Sequence, residues 1–274
     1  MLLKDLLEEI LMNKKLKDEI DYEDFPFIIT EDSETNHMLV EINKNGKILH
    51  YNLELISSFI IRKMMDNAER YLSRVIKRIV ITVPANFNHF QRKCTKQADE
   101  LAGLEVIRMI NEPTAAALAY GLQEIQNENN NRNILVFDLG GGKFDATIIK
   151  IIKNNNSNSE KFYQILSTSG DKFLGGEDFD NKLAEFVLED FCKNDDESIE
   201  KIRKDKKSIK RLKIACENIK KVLSYKVETL LCINNFYNNK DIFKKISRMQ
   251  FEFLCDDLFN KLYAPLNDAL TDEN

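Results

Sequence analysis

Asn133–Thr147 reads NILVFDLGGGKFDAT, and the rest of the chain is organised around it. The stretch opens with a run of β-branched and apolar residues, the pattern of a buried strand. Asp138 closes that run. Gly140, Gly141 and Gly142 follow, and a second strand, Phe144 to Ile152, leaves them. A glycine triplet turns tightly and brings backbone N–H groups close to a ligand, with no side chain in the way. Acids on either side, Asp138 and Asp145, suit a hydrated Mg²⁺, a hard cation that keeps its waters and takes few carboxylates. Two readings stand at this point: a plain hairpin with a glycine turn, or a cradle for phosphate and metal.

Composition narrows the field. The chain has 274 residues, enough for one large domain or two, and 43% hydrophobic residues is ordinary for a water-soluble core. A formal net charge of −5 argues against a general nucleic-acid binder. Cys94, Cys192, Cys216, Cys232 and Cys255 are odd in number and scattered, with no CxxC. They read as reduced thilols of a cytoplasm-like compartment, not as a disulfide frame or zinc site. His37, His50 and His89 are too dispersed to hold a metal. The first twenty residues place Leu3, Leu6, Leu7, Ile10 and Leu11 on one helical face but are charged throughout. They read as an amphipathic helix, not a signal peptide, and no apolar run is long enough for a transmembrane helix.

In chain order, the pattern predicts strands at Phe27–Thr30, Met38–Asn43 and Lys47–Asn52, the last two joined by Asn45-Gly46. A helix follows from Leu53 to about Ser73. Arg78–Val83 is an apolar strand stopped by Pro84. His89 to about Ala102 is a polar helix ended by Gly103. Glu105–Ile110 is a strand that runs into Asn111-Glu112-Pro113 and an Ala-rich helix, Thr114–Leu122. Strand–helix–strand–helix is α/β logic, and Glu112 sits at the C-terminal end of a strand, where such sheets place their chemistry. The Asn-rich tract Gln126–Asn133 marks a lobe boundary, and Asn154–Ser159 a solvated hairpin tip. Beyond the glycine stretch the expectation is a strand at Phe162–Thr168 and a loop at Ser169–Phe173. Gly175-Gly176 and a helix at Asp178–Phe191 come next. Ser198–Ser224 reads as a basic helix, Tyr225–Asn234 and Phe243–Ser247 as strands, and Phe251–Leu270 as a closing helix or two.

Four segments together resemble the ATPase domain of the 70-kilodalton heat shock protein (heat shock protein 70) chaperones. They are ITVPANFNHFQRKCTKQADELAGLEVIRMINEPTAAALAYGL (Ile81–Leu122), NILVFDLGGGKFDATI (Asn133–Ile148), STSGDKFLGGEDFDNKL (Ser167–Leu183) and RLKIACENIKKVLS (Arg211–Ser224). They occur in the family's order. The resemblance implies an actin-like ATPase fold of two ribonuclease-H-like lobes with ATP between them. Residues 1–126 would then be part of the first lobe and 127–274 part of the second, with 175–265 its outer subdomain. By the same resemblance, Asp138 and Asp145 match the acids around Mg²⁺ and its waters. Gly140, Gly141 and Gly142 match the phosphate loop, with Lys143 beside them. Glu112 matches the acid that positions metal and attacking water. Gly175 and Gly176 match a second backbone approach to the nucleotide. Glu217, Lys220, Lys221 and Ser224 match the helix face for ribose and adenine, and they share one helical stripe; without the resemblance, a solvated charged face would be the preferred reading. Pro84 and Arg92 match the relay of nucleotide state to a substrate-binding domain. The implied ligands are ATP or ADP with Mg²⁺. The implied partners are co-chaperones and nucleotide-exchange factors, in a cytoplasmic stress-response setting without nucleic acid or membrane.

The departures from the family pattern shape the expectation of activity. The family's first phosphate loop, of DxGTT type, has no match, and Lys4 is the nearest candidate for its catalytic lysine. The GGSTR-type adenine loop has no match either. Lys143 stands where the family has Thr, so a hydroxyl is replaced by an ammonium. Asn86 and His89 replace a Tyr and an Asp beside the relay. The expectation is an incomplete ATPase domain that binds ATP and turns it over slowly, because phosphoryl transfer depends on positioning and charge stabilisation. The alternatives are a degenerate, non-enzymatic protein that binds co-chaperones or exchange factors, and a fragment of a longer chaperone gene.

Overall fold

The computed structural model describes residues 28–31, 38–44, 46–124, 131–153, 161–195 and 198–271. The expected N-terminal helix, Lys4 and the Asn154–Ser159 tip lie outside the described residues. The chain divides into two compact units between Glu128 and Asn129, and its fold class is the α/β mixture read from the sequence.

The first unit opens with an antiparallel sheet of β1 (Ile28–Glu31), β2 (Met38–Lys44) and β3 (Lys47–Asn52), in that order. The β2–β3 hairpin closes at Lys44 and Lys47, with Gly46 at φ +79°, where only glycine is at ease. Helix α1 (Leu53–Leu72) starts because the Asn52 side chain accepts the Leu55 N–H at 3.0 Å. It ends on Ser73 in the left-handed region. Next, β4 (Arg78–Val83), α2 (His89–Leu101) and β5 (Glu105–Asn111) make a βαβ unit with the two strands parallel. The Asn88–Gln91 capping box sets the start of α2. Gly103, at φ +86°, ends the turn after it, as the sequence indicates. Val83, Phe87, Cys94, Ala98, Ala102 and Leu104 are buried in this unit. The Ala-rich helix α3 (Glu112–Glu124) begins at Glu112, earlier than the predicted Thr114, because Pro113 fits the first turn.

The second unit is built on an antiparallel sheet of β6 (Asn131–Leu139), β7 (Phe144–Lys153) and β8 (Lys161–Asp171), in that order. Five helices follow or interleave among the described residues: α4 (Gly176–Asp195), α5 (Ile199–Lys204), α6 (Lys206–Leu223) and, past the hairpin of β9 (Glu228–Tyr237) and β10 (Lys240–Ser247), the pair α7 (Arg248–Leu254) and α8 (Asp256–Thr271). One apolar core joins the sheet to the helices through Phe144, Ala146, Leu183, Leu212, Phe236 and Ile246. Helix α8 packs on β7 and β8, where the buried Ser167 hydroxyl donates to the Ala269 carbonyl.

Several expected boundaries change. Strand β8 runs through the predicted loop as far as Asp171, because Ser169, Gly170 and Asp171 pair with Ala146, Asp145 and Phe144. The single basic helix Ser198–Ser224 breaks at Asp205, whose side chain caps α6 by accepting from the Lys207 N–H and the Ser208 hydroxyl. Strand β9 begins at Glu228 rather than Tyr225. Asn238 and Asn239, both at positive φ, carry the turn into a longer β10. Strand β6 starts at Asn131, inside the predicted linker. Among the described residues no helix is long and apolar enough to cross a membrane.

Candidate functional site

The glycine stretch forms a hairpin loop on which the next helix docks. Leu139 pairs with Phe144 across β6 and β7, leaving Gly140–Lys143 as the loop, and the Gly140 N–H donates to the Lys143 carbonyl at 2.9 Å. One step inward, Asp138 pairs directly with Asp145. Cross-strand partners project to the same face, so the two acids stand side by side beneath the loop. They share the face opposite Phe137 and Phe144, whose ring centroids lie 4.7 Å apart, Phe144 being fully buried in the core.

The start of α4 docks on this loop. The Gly176 N–H donates to the Gly140 carbonyl at 2.8 Å, and the Glu177 N–H to the Gly141 carbonyl at 2.7 Å. These are N–H groups that no residue within a helix can satisfy. Asp178 reaches back and accepts the Gly175 N–H at 2.8 Å. The approach needs glycine: a Cβ on Gly175 would lie 2.5 Å from the carbonyl carbon and oxygen of Gly141. The loop's carbonyls therefore turn towards the helix. Among the described residues, no acceptor takes the N–H groups of Gly141 or Gly142. Two unengaged N–H groups beside the positive end of a 20-residue helix form a site for an anion.

Lys143 closes the loop. Its Nζ lies 3.3 Å from Asp145 Oδ2, with both side chains about four-fifths covered. Gly170 makes room for that acid from β8. It pairs with Asp145, and a Cβ there would lie 3.0 Å from Asp145 Oδ1 and collide with the Phe144 carbonyl. Sequence reasoning missed Gly170 because its stretch reads as a loop; the signal is a glycine in register with a site acid, visible only once the strands are paired.

The α6 stripe divides in two. Lys220 points back to the start of α4, donating to the Gly176 carbonyl at 2.6 Å and to Asp180 Oδ2 at 2.7 Å. Asp180 is a second group the sequence left unmarked. It is buried, and its other oxygen has no hydrogen-bond partner among the described residues. Burial pushes its carboxyl above the ordinary range, against the opposing pull of Lys220. Burial, with Asp180 nearby, also lifts the Cys216 thiol to about 12. Glu217 and Lys221 pair with each other at 2.6 Å on the exposed side, and the Lys221 hydrogen bond holds Glu217 below its usual carboxylate range. Ser224 caps the C-terminal end of α6 and is exposed.

In the first unit, Arg92 gathers the ends of β4 and β5. Its guanidinium donates to the carbonyls of Phe87 at 3.0 Å, Ala85 at 3.3 Å and Pro84 at 3.4 Å, and to Asn111 Oδ1 at 2.8 Å. Asn111 immediately precedes Glu112, the half-buried first residue of α3. Arg92, Pro84 and Glu112 thus share one end of the parallel pair, the C-terminal end where open α/β sheets bind ligands.

A profile of the family described as Hsp70 protein matches residues 9–274. The heat shock 70 kDa protein of Neurospora crassa is 38% identical over 266 residues, covering 96% of this chain and 39% of its own length. The chaperone protein dnaK of Gracilaria tenuistipitata is 43% identical over 242 residues, covering 85% of this chain and 37% of its own. A putative heat shock 70 kDa protein 7 of Homo sapiens is 37% identical over 265 residues, covering 96% of this chain and 68% of its own. The chain thus spans under half the length of most of the curated relatives it matches. Its mixture of helices and small sheets agrees with the actin-like ATPase fold, and the chain belongs to the heat shock protein 70 family.

Proposed function

We propose that this chain is a nucleotide-binding part of a heat-shock-protein-70-like chaperone ATPase domain, taking ATP or ADP with Mg²⁺. One observation carries the reading. The glycine turn spends its carbonyls on the start of α4 and keeps the N–H groups of Gly141 and Gly142 unengaged, beside two acids on one face. The donor set fits the ligand. Backbone N–H groups and the Lys143 ammonium suit phosphate oxygens, and the hard carboxylates of Asp138 and Asp145 suit a metal held through its waters. Bound Mg²⁺ supplies neutralisation of phosphate charge.

The chain's own residues do the rest. Gly141 and Gly142 bind and orient phosphate through their N–H groups, and Gly140 closes the turn that presents them. Gly175 and Gly176 hold that turn in place, and Glu112 is, by the family resemblance, the acid that helps position the metal and the attacking water. Glu217, Lys221 and Ser224 offer an exposed polar edge to ribose and adenine, while Lys220 fixes the α4 start that the phosphate faces. Arg92 and Pro84 form the relay, since one guanidinium ties the strand ends to the Pro84 carbonyl. Hydrolysis is slow in this reading, because Lys143 supplies an ammonium where the resemblance calls for a hydroxyl. Co-chaperones and nucleotide-exchange factors are the protein partners, and the cytoplasm is the compartment.

The test is calorimetric titration of the chain with Mg-ATP. Binding that Asp138→Ala or Gly141→Asp abolishes supports the reading. No heat and no saturable binding at millimolar ATP refutes it and favours a non-enzymatic, partner-binding protein.

A further inference from the structure

We infer that Lys143 is a built-in counter-ion for the Asp138–Asp145 pair, and that it lowers the affinity of this site for a divalent cation. The inference rests on the reading of the glycine turn as a phosphate site, but its test does not. Three observations converge. The Lys143 ammonium lies 3.3 Å from Asp145 Oδ2, with only 19% of the lysine side chain and 24% of the aspartate exposed. Asp138 and Asp145 are cross-strand partners, so whatever neutralises one lowers the field that both present to a cation. Gly170 leaves the space in which the Asp145 carboxylate lies, since a Cβ there would stand 3.0 Å from Asp145 Oδ1.

Two like-charged carboxylates side by side attract a cation, and here the chain supplies one covalently. An incoming divalent ion must either displace the ammonium from Asp145 or bind beside it against its charge. An ion pair of this exposure, together with repulsion across a few ångströms, weakens such a site roughly tenfold. The same ammonium adds a positive charge next to the N–H groups of Gly141 and Gly142. A phosphate bound there meets a fixed cation, and its affinity depends less on added metal.

The experiment uses the whole chain and Mn²⁺ alone, read by the electron paramagnetic resonance of the free ion, without nucleotide. Lys143→Thr and Lys143→Gln each tighten Mn²⁺ binding roughly tenfold relative to wild type, while Lys143→Arg stays at the wild-type value. The glutamine variant keeps most of the side chain's bulk without its charge, and its agreement with Lys143→Thr, which removes both, shows that the gain reports charge and not space. Thermal melts confirm that each variant folds. No gain in either neutral variant, or an equal gain in Lys143→Arg, overturns the inference. A second arm titrates ATP with EDTA or with Mg²⁺. Wild-type affinity shifts less than about threefold between the two, and Lys143→Gln shifts at least about tenfold. Absence of ATP binding in every arm, with the Mn²⁺ gain intact, refutes the nucleotide reading and sustains the counter-ion.

Discussion

Replacing Gly175 with Ala measures how firmly the start of α4 is locked to the glycine turn. The new Cβ would stand 2.5 Å from the carbonyl carbon and oxygen of Gly141, short of a comfortable carbon contact by roughly 1 Å. Both sides of the clash are backbone, so no side chain can rotate away and the helix start must retreat. A retreat of that size stretches the Gly176-to-Gly140 and Glu177-to-Gly141 hydrogen bonds, now 2.8 and 2.7 Å, past the limit of useful geometry. Each is worth about 0.5–1.5 kcal/mol net, and forced overpacking adds about 1–3 kcal/mol. The expected loss is therefore about 3 kcal/mol. In a unit of this size it lowers the melting temperature by roughly 10 °C. The paired control is Gly140→Ala, whose Cβ would come no closer than 3.4 Å, to the Lys143 carbonyl, and which should cost under about 1 kcal/mol. Differential scanning calorimetry of both variants decides the matter. If Gly175→Ala melts within 2 °C or so of wild type, the two backbones are not locked and the argument for the direction of the loop's N–H groups fails.

Lys220→Met strips the counter-charge from buried Asp180 and should destabilise the second unit by about 3–5 kcal/mol at neutral pH, measured by urea unfolding. Asp180 itself sets a pH dependence. Its folded carboxyl is raised above 3.8, so the unfolded chain releases that proton first and the stability linked to it falls as pH rises above 3.8. The stability of wild type relative to Asp180→Asn should thus be greatest at the acid end of that window; a difference that grows with pH would contradict it. Arg92→Met breaks four acceptor contacts at the strand ends and should cost about 2–3 kcal/mol, with faster amide exchange from Ala85 to Phe87. Thiol titration at pH 8 should show one fast cysteine, the exposed Cys232, lost in Cys232→Ser. Cys216 and Cys255, buried with thiols lifted to about 12, should stay silent in the native state.

Much of this was legible in the residues because local rules and tertiary structure agree. The strand Arg78–Val83 and the start of α2 at His89 fall where the pattern predicts, since Pro84 and the Asn88 cap act within a few residues. The glycine stretch was legible as a choice between hairpin and cradle. The register makes it a hairpin, and the docking of α4 on its carbonyls leaves the N–H groups of Gly141 and Gly142 unengaged, as the second reading requires. What stayed hidden depends on long-range pairing. Ser169–Asp171 reads as a loop by composition, and only its pairing with Phe144–Ala146 turns it into strand and gives Gly170 a purpose. The break at Asp205 is a local capping signal that lay inside an otherwise continuous basic run.

Lys220 shows how far spacing alone can carry a site. The stripe Glu217, Lys220, Lys221 and Ser224 is real as geometry, yet its members serve different ends. Lys220 turns inward to Asp180 and the Gly176 carbonyl, and Lys221 turns to its helical neighbour Glu217. The inward lysine shares its anchor with the glycine turn, because Gly176 accepts from Lys220 through its carbonyl and donates to Gly140 through its N–H. Gly176 is therefore a single joint between α6 and the turn. A change at Lys220 and a change at Gly175 should weaken the same contact from opposite sides. Their combined effect should be smaller than the sum of the two, since the second variant finds the joint already loosened. Independent, additive losses would place the stripe of α6 and the glycine turn in separate energetic units, and the turn would then lack the shared support that its glycines imply.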